Sequence, residues 1–395
     1  MTTHIHIAPI VTAADRLGQV EEYYFSRKLR EIAQMRAQGH QVLNLGIGSP
    51  DLPPHPDVVR TLTEAALLPD THNYQSYQGL PELREAFAQW YEQHFSVSLN
   101  PANEVLPLIG SKEGIMHISM AFLNPGDEVL VPNPGYPTYR SATELAGGVV
   151  REYALTESNG WFPDLETLGH QDLSKVKIMW VNYPHMPTGT DAQTAFFKEL
   201  ISFAHRHRIL LVNDNPYAFI LNDQPISLLA MPGAKEVAME LNSLSKAHNM
   251  AGWRVGMLAG AAPYLQTVLR FKSNMDSGMF KPVQLAAITA MQLDDSWYQQ
   301  LNAVYKDRRS YAEKLLAGLG CTFNPHQVGM FVWAKCPPSY RDGYELADEV
   351  LEKHHVFITP GGIFGSEGNG YVRISLCSPV AVLETAQARM SGLNR

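Results

Sequence analysis

Short apolar runs alternate with longer amphipathic stretches through the middle of the chain. Continuous apolar runs between turn residues predict buried strands, whereas apolar residues at every third or fourth position predict helices. The strand-like runs lie in EVLPLIG, NPGDEVLVP, KVKIMWVN, ILLVND, AKEVAMELNSLSK and RVGMLAG. Helix-like stretches such as GSKEGIMHISMAFL and DAQTAFFKELISFAHRHR separate them. This alternation is typical of an α/β fold with a mostly parallel sheet covered by helices.

The two ends of the chain have a different pattern. Residues 20–40 contain a charged amphipathic helix candidate closed by Gly39, and a strand and a proline-rich loop follow it. After residue 295, a long helical pattern precedes GMFVWAKCP, a further helix, VFITPG and YVRIS. We therefore predict a smaller α+β domain built from both chain ends. The expected division is an N-terminal arm and part of the small domain over 1–50, a large domain over 51–294, and a C-terminal small domain over 295–395.

Composition places the chain among globular proteins. Its 395 residues are 45% hydrophobic and 18% charged, which is enough to bury a large core. A net charge of -8 without a dense basic block argues against nucleic acid or an anionic membrane as a partner. Cys321, Cys336 and Cys377 are widely spaced. Because no signal-peptide pattern and no apolar run of about 18 residues occurs, we expect a cytoplasmic protein that is not exported.

Polar residues that follow the predicted strands are candidates for a ligand site, because ligands of parallel sheets bind at the carboxyl ends of strands. They are Ser111, Lys112, Tyr136, Asp214, Tyr217, Ser243, Lys246 and Arg254. Taken singly, each residue has an ordinary structural explanation. A lysine can be a solvated surface charge, Asp214 can cap a helix, and Tyr136 can fill space in the core. Taken together, they match the needs of pyridoxal phosphate: a lysine amine, a carboxylate for the pyridinium nitrogen, a donor to the phenolate oxygen, a ring platform and phosphate ligands.

A series of motifs in one order carries a family resemblance. The motifs are NYQSYQGLPELREA, NPGYPTY, PTG, DNPY, SLSKAHNMAGWRVG and YVRIS, spread from residue 73 to 375. The series resembles the class I/II pyridoxal-phosphate aminotransferases of fold type I, and SLSK with GWRVG is its most specific part. The resemblance implies a pyridoxal 5'-phosphate cofactor in the large domain and transfer of an amino group from an L-amino acid to a 2-oxo acid.

The resemblance assigns roles around the cofactor ring. It makes Lys246 the Schiff-base lysine, whose amine then moves a proton as general base and acid. Asp214 would pair with the pyridinium nitrogen, and Tyr217 would donate to the phenolate oxygen. Tyr136 would stack on the face of the ring.

The resemblance also implies a phosphate cup and a substrate end. Ser111 and Lys112 would bind phosphate through backbone N–H groups at a helix start, and Ser243 and Arg254 would complete the cup. Tyr74 would reach the phosphate of a neighbouring subunit, which implies a homodimer with shared active sites.

Two further residues belong to the implied substrate end. Arg373 matches the residue that binds the substrate α-carboxylate. Gly48 lies where the family brings its backbone close to the substrate, although a turn glycine explains it equally well.

Met186 departs from the family pattern inside the site. The family has Asn-Pro-Thr-Gly here, and its asparagine amide bonds the phenolate oxygen, whereas a thioether cannot donate a hydrogen bond. Either Asn182 or His185 covers the gap, or Tyr217 is left as the donor. Met186 therefore receives no cofactor-binding role.

Alternative functions remain open at this point. A carbon-sulfur lyase could use the same scaffold, and a cofactor-sensing regulator could keep the body for ligand binding, although the region before the body has no room for a DNA-binding domain. We expect no metal, because His4, His6 and the histidines of HRH at 205–207 do not join cysteine or acidic residues at ligand spacing. GMFVWAKCPPSY and ITPGGIFG resemble the branch of alanine, aromatic and diaminopimelate aminotransferases. They favour an amino donor with a neutral, aromatic or long side chain.

Overall fold

The computed structural model describes residues 10–18 and 24–390. His4, His6 and the first positions of the predicted helix over 20–40 lie outside the described residues. The strands of the described residues are β1 Leu43–Asn44, β2 Val105–Leu108, β3 Glu128–Asn133, β4 Val149–Ala154, β5 Val176–Val181, β6 Leu210–Asp214, β7 Ala238–Ser243, β8 Gly256–Gly260, β9 Phe331–Lys335, β10 Val356–Phe357, β11 Thr359–Pro360 and β12 Tyr371–Ser375.

Helices cover most of the remaining chain. The α-helices of the described residues are α1 Tyr24–Ala37, α2 Pro56–Ala66, α3 Pro81–Phe95, α4 Ser111–Phe122, α5 Pro137–Leu145, α6 Leu165–Gly169, α7 Thr194–His207, α8 Ala234–Val237, α9 Leu244–Ala247, α10 Ala262–Lys272, α11 Lys281–Met291, α12 Asp295–Gly318, α13 Gly343–His354 and α14 Val380–Met390. Prolines begin several of them, since their fixed φ and missing N–H suit a first helical turn. No helix in the described part of the chain is both long and apolar enough to cross a membrane.

The large sheet has seven strands in the order β2-β8-β7-β6-β5-β3-β4. Strands β3 to β7 run parallel, while β8 is antiparallel to both of its neighbours, β2 and β7. Strand β8 is buried along its whole length, which explains why its sequence GMLAG has no polar side chain. Strand β7 is equally buried although its sequence AMELNS contains Glu240, Asn242 and Ser243. The predicted mostly parallel, helix-covered sheet is confirmed. The carboxyl ends of β2, β5, β6 and β7 share one edge with the amino end of the reversed β8.

Segments from both chain ends together form two small sheets. Strand β1 pairs in parallel with β10, and the backbone N–H of Ser375 donates to the carbonyl oxygen of Leu45 at 2.7 Å. Strands β11, β12 and β9 form an antiparallel sheet. The pattern at both chain ends therefore indicated an α+β unit correctly, while the division at 50/51 and 294/295 stays a prediction.

Candidate active site

A cavity of about 440 Å³ opens at the shared edge of the large sheet. Every predicted site residue except Tyr74 lines it. These residues are Gly48, Ser111, Lys112, Tyr136, Asp214, Tyr217, Ser243, Lys246, Arg254 and Arg373. The reversal of β8 contributes directly, because Arg254 lies two residues before this strand and thus at the edge where β6 and β7 end. The topology brings together side chains that are far apart in sequence.

Lys246 extends from the short helix α9, which follows β7 without a loop. Its Nζ donates a hydrogen bond to the carbonyl oxygen of Gly48 at 2.8 Å. Burial lowers the pKa of Lys246 below its ordinary value, and the charges of Arg373 and Arg254 act in the same direction. A larger share of this amine is therefore neutral near pH 7 than for a surface lysine.

Asp214 is the last residue of β6 and is buried. Its Oδ2 accepts a hydrogen bond from the hydroxyl of Tyr139 at 2.9 Å, while its Oδ1 has no hydrogen-bond partner among the described residues. Burial raises the pKa of Asp214 to about 6, and the Tyr139 hydrogen bond and the Lys246 charge oppose that rise. The carboxylate thus has one free oxygen available to a cationic donor in the cavity.

The start of α4 and the side chain of Arg254 form one end of the cavity. Gly110 caps this helix at φ 82°, and a Cβ at this position would lie 2.1 Å from Nη2 of Arg254. Only glycine therefore allows the guanidinium to approach the helix start. Ser111 and Lys112 occupy the first turn, whose N–H groups have no intrahelical acceptors. A helix N-terminus beside an arginine is suited to a phosphate group.

Two serines complete this end of the cavity. Ser243 Oγ donates to Ser245 Oγ at 2.8 Å and accepts from the backbone N–H of Ser245. Both line the cavity. Sequence analysis named only Ser243, although the two serines of SLSK stand two residues apart around a short turn.

Tyrosines surround the middle of the cavity. Tyr136 and Tyr217 line it as predicted, and the ring of Tyr136 meets that of Tyr139 edge to face at 5.6 Å. Tyr139 itself stacks on Trp180, with centroids 5.1 Å apart and planes at 8°. Tyr139 is not among the residues predicted from the sequence, although NPGYPTY places it one helical turn after Tyr136.

The loop after β5 presents Asn182, but not His185, to the cavity. Asn182 lines the cavity, but its Nδ2 donates to the backbone oxygen of Asp214 and its Oδ1 accepts from the backbone N–H of Met186 at 2.9 Å. His185 lies outside the cavity lining. Tyr217 and Asn182 both line the cavity, and the Asn182 amide has a second N–H, so both stay candidates for the donor to the phenolate oxygen.

Arg373 is buried on β12 and lines the part of the cavity beside Met186 and Phe331. Its Nη1 donates to Sδ of Met186 at 3.2 Å, and its Nη2 donates to the backbone oxygen of Gly46 at 2.9 Å. The guanidinium carbon lies 3.9 Å from the ring centroid of Phe331 and 4.6 Å from that of Phe364. Cation–π contacts and two acceptors hold the guanidinium in one orientation.

Gly48 has a packing role that the sequence did not indicate. A Cβ at this position would lie 2.3 Å from Cζ of Phe331, so the missing side chain makes room for that ring. Its carbonyl oxygen holds Lys246 in the cavity. Close approach of the Gly48 backbone to a substrate stays a prediction.

Tyr74 does not line the cavity of its own chain. It is 90% exposed, in a loop that Lys272 anchors by donating to the backbone oxygen of Tyr77 at 3.2 Å. Tyr77 and the nearby Met275 also expose apolar surface. A monomer rarely exposes adjacent large apolar side chains without a partner, so the geometry is compatible with a role for Tyr74 in a second subunit, which stays a prediction.

One group of metal-ligating side chains exists outside the cavity. Within residues 10–18 and 24–390, Glu113, His117 and Asp276 bring ligand atoms to within 4.8 Å of one another. The ammonium of Lys272 lies 2.8 Å from Oδ2 of Asp276. Because this buried cation already pairs with Asp276, it opposes a metal ion by like-charge repulsion.

The described residues fit pyridoxal phosphate. The unpartnered Oδ1 of Asp214 is a buried acceptor that a protonated ring nitrogen would satisfy. The helix start at Ser111 and the side chain of Arg254 supply donors for a phosphate, and Lys246 supplies an amine in the same cavity. These groups are the ones that the cofactor requires.

The apolar lining near Arg373 was missed from the sequence. Phe25, Phe331 and Phe364 pack around the guanidinium, and Leu29 and Ile47 line the same cavity. Apolar residues of this kind have the same pattern whether they fill a core or face a cavity, so periodicity gives no signal for them.

Comparisons with known proteins identify the family of the chain. The family described as aminotransferase class I and II matches residues 40–389. An LL-diaminopimelate aminotransferase of Dehalococcoides mccartyi is 41% identical over 382 residues, covering 96% of this chain and 98% of the relative. A substrate-bound structure of BacF from Bacillus subtilis superimposes with a TM-score of 0.93 at 36% identity over 98% of both chains.

A second solved structure is also similar to the chain over most of its length. A probable N-succinyldiaminopimelate aminotransferase from Thermus thermophilus superimposes with a TM-score of 0.87 at 33% identity, over 93% of this chain and 99% of that one. These names give no support to the lyase alternative. The chain belongs to the class I and II aminotransferases, and it is a pyridoxal-phosphate-dependent transaminase.

Proposed function

We propose that the enzyme transfers the amino group of an L-amino acid with a large, uncharged side chain to a 2-oxo acid. The observation that carries this proposal is the composition of the cavity end around Arg373, where one cation stands among apolar side chains. An amino acid needs a partner for its α-carboxylate and an environment that matches its side chain, and this end offers both.

Lys246 is the proposed catalytic residue. Pyridoxal phosphate, when bound, supplies an aldehyde that links to an amine and a ring that withdraws electrons. Lys246 provides the amine that holds the cofactor. Its lowered pKa favours the neutral form, so that Nζ can take a proton from the substrate α-carbon and return it. The carbonyl oxygen of Gly48 keeps Nζ within the cavity.

Other residues hold the cofactor in place. Oδ1 of Asp214 binds the ring nitrogen, and its negative charge favours the protonated form of that nitrogen. The hydroxyl of Tyr217 donates to the phenolate oxygen, and Tyr136 packs against the ring. The pairing of Asp214 with Tyr139 leaves the free carboxylate oxygen in a fixed direction.

The phosphate is held at the α4 end. Backbone N–H groups of Ser111 and Lys112, the hydroxyls of Ser243 and Ser245 and the guanidinium of Arg254 act together. Tyr74 of a second copy of the chain adds a further hydroxyl in a homodimer, as the resemblance implies.

The substrate side chain is expected to lie against apolar groups. Arg373 binds the α-carboxylate, for which the guanidinium fork is well suited. The rings of Phe25, Phe331 and Phe364 pack around its guanidinium, and Leu29 lines the same cavity. Burial of an apolar side chain here stabilises the bound substrate by about 25 cal/mol for each Å² removed from water. A short dicarboxylate gains nothing from these contacts.

LL-diaminopimelate is a second candidate donor, since that substrate appears in the name of the Dehalococcoides mccartyi relative. It carries a second charged amino-acid group, whose burial is costly without partners. Among the described residues that line the Arg373 end, Arg373 is the charged side chain. The apolar lining therefore favours the uncharged donor.

A panel of amino donors with one 2-oxo acid acceptor tests the proposal. The panel comprises L-phenylalanine, L-leucine, L-methionine, LL-diaminopimelate and L-aspartate, and the specificity constant kcat/KM is measured for each. We expect the highest values for the first three. A higher value for LL-diaminopimelate than for every uncharged donor contradicts the proposal and supports the second candidate.

A further inference from the structure

The side chain of Met186 contacts Arg373 rather than the ring-binding part of the cavity. Nη1 of Arg373 donates to Sδ of Met186 at 3.2 Å, and both side chains are buried. The second anchor of the guanidinium is the backbone oxygen of Gly46, which accepts from Nη2 at 2.9 Å. One protein acceptor therefore lies beside each terminal nitrogen.

The position of the sulfur is fixed from the other side. The backbone N–H of Met186 donates to Oδ1 of Asn182 at 2.9 Å, and Asn182 in turn donates to the backbone of Asp214. Methionine is flexible in most environments. Here the loop holds its backbone, and Met186 is only 5% exposed, so its thioether stays beside the guanidinium.

We propose that Met186 is a positioning residue for the substrate carboxylate and acts by orienting Arg373. This inference rests on the proposed role of Arg373 in binding that carboxylate. The thioether is a weak and uncharged acceptor, so it directs Nη1 without competing with a carboxylate for the positive charge. A carboxylate side chain at this position would neutralise Arg373, and a leucine would leave Nη1 without its sulfur acceptor.

The apolar surroundings strengthen this effect. The rings of Phe331 and Phe364 pack against the guanidinium and exclude water that would otherwise solvate Nη1. In such a site a hydrogen-bond acceptor has a larger influence on the orientation of the guanidinium than it has in water. Met186 thereby supplies orientation at the position where the family pattern has an amide.

The experiment compares two probes on the holoenzyme and on Met186→Leu, which keeps a similar side-chain volume but lacks the sulfur. The first probe, 3-phenylpropanoate, has a carboxylate and no amine, and its dissociation constant is measured from the cofactor absorbance. The second probe, 2-phenylethylamine, has the same ring and no carboxylate, and its rate of reaction is followed at the same wavelengths.

We expect Met186→Leu to weaken 3-phenylpropanoate binding by about fivefold, the size of an ordinary neutral hydrogen bond, because a thioether is a weak acceptor. The rate of reaction with 2-phenylethylamine should change by less than about twofold, because this probe has no carboxylate for Arg373 to bind. A loosened cavity would affect both probes equally, and that result would overturn the inference. Unchanged binding of 3-phenylpropanoate would overturn it as well.

Arg373→Gln separates this inference from the proposed function. If Arg373 binds the carboxylate, Arg373→Gln weakens 3-phenylpropanoate binding strongly, and adding Met186→Leu to it has little further effect. A further fivefold loss in the double variant would mean that Met186 acts without Arg373, which contradicts the inference. Unchanged binding in Arg373→Gln alone would instead refute the proposed carboxylate role.

Discussion

The hydroxyl of Tyr139 donates to Oδ2 of Asp214 at 2.9 Å, and Oδ1 of the same carboxylate has no hydrogen-bond partner among the described residues. The ring of Tyr139 is held by stacking on Trp180. Because the donor is fixed, the carboxylate plane is fixed as well. The relationship explains how a buried acid can stay oriented toward a cofactor nitrogen before the cofactor arrives.

Replacement of this tyrosine is expected to weaken cofactor binding. Tyr139→Phe keeps the stacked ring and removes the donor, so the pKa of Asp214 rises above its value of about 6. The affinity of the apo protein for pyridoxal phosphate should fall by about tenfold, measured by fluorescence titration. Tyr153→Phe is the control, since it removes a buried hydroxyl that donates to the backbone of Trp180 outside the cavity. Equal affinities in the two variants would contradict the prediction.

Cofactor affinity should also depend on pH through Asp214. Burial is the main reason that the pKa of Asp214 is raised to about 6. Below that pH the carboxyl becomes neutral and no longer attracts a ring cation, so affinity falls as the pH is lowered from 7 to 5. Well below the pKa the loss approaches about tenfold for each pH unit.

The phosphate of the cofactor titrates near pH 6 too, and Asp214→Asn separates the two contributions. The variant should keep the part of the pH dependence that comes from the phosphate and lose the part from Asp214. Titrations of the wild-type and Asp214→Asn apo proteins with pyridoxal phosphate, at several pH values between 5 and 8, measure how the affinity of each protein depends on pH. Identical slopes would refute the role of Asp214.

Lys246 should carry the cofactor. Borohydride reduction of the holoenzyme followed by peptide mass mapping should find the pyridoxyl group on the peptide that contains Lys246. Lys246→Ala should lower the rate of amino-group transfer by more than about a thousandfold, because both the attachment point and the proton carrier are lost. Lys112→Ala is the control for labelling, since Lys112 lines the same cavity but should leave the label on Lys246. A fully active Lys246→Ala enzyme would refute the mechanism.

The cofactor end of the site could be predicted from the sequence for a physical reason. Its residues follow strands that end at one edge of a sheet. The ring and the phosphate of the cofactor need a small number of polar residue types as partners, so few residues at this edge are candidates. The direction of β8 could not be predicted, because a fully buried strand has the same apolar pattern when parallel or antiparallel. That direction is what brings Arg254 to the cavity.

The substrate end could be predicted only in part. Arg373 is recognisable by its motif, whereas Phe25 and Phe331 meet it from segments about three hundred residues apart. No local pattern reports such a contact. The departure of Met186 from the family pattern is visible in the sequence, but its sulfur contact with Arg373 requires three-dimensional coordinates.

Tyr74 should act in the active site of a second copy of the chain. Its side chain is 90% exposed and stays outside its own cavity. Mixing Lys246→Ala chains with Tyr74→Phe chains should restore activity, because one site of the heterodimer then contains both native residues. Mixing Lys246→Ala with Lys246→Arg is the control, since no hybrid site regains the lysine. Absence of rescue in a confirmed heterodimer would mean that Tyr74 acts within its own chain or has no role.

Gly110 should be essential to the phosphate end because of the space that it leaves for Arg254. Alanine at this position would place a Cβ 2.1 Å from Nη2 of Arg254, so the guanidinium has to move away from the start of α4. The affinity of Gly110→Ala for pyridoxal phosphate should fall by at least about tenfold, since hydrogen bonds to charged groups are among the stronger ones. Its affinity for pyridoxal, which lacks the phosphate, should stay unchanged.

Gly126→Ala is the matched control for this last prediction. Both glycines have a similar positive φ, 82° at Gly110 and 88° at Gly126, but a Cβ at Gly126 would have no atom within 4 Å. Each alanine should lower the free energy of unfolding through backbone strain, by about 1 kcal/mol at Gly126 and by about 1 to 3 kcal/mol at Gly110, whose ψ of 153° lies in a region nearly exclusive to glycine. Only Gly110→Ala should also lose phosphate-dependent affinity, because only its Cβ displaces Arg254. Equal cofactor affinities in the two variants, or an equal loss of pyridoxal binding in Gly110→Ala, would show that the arginine does not bind the phosphate.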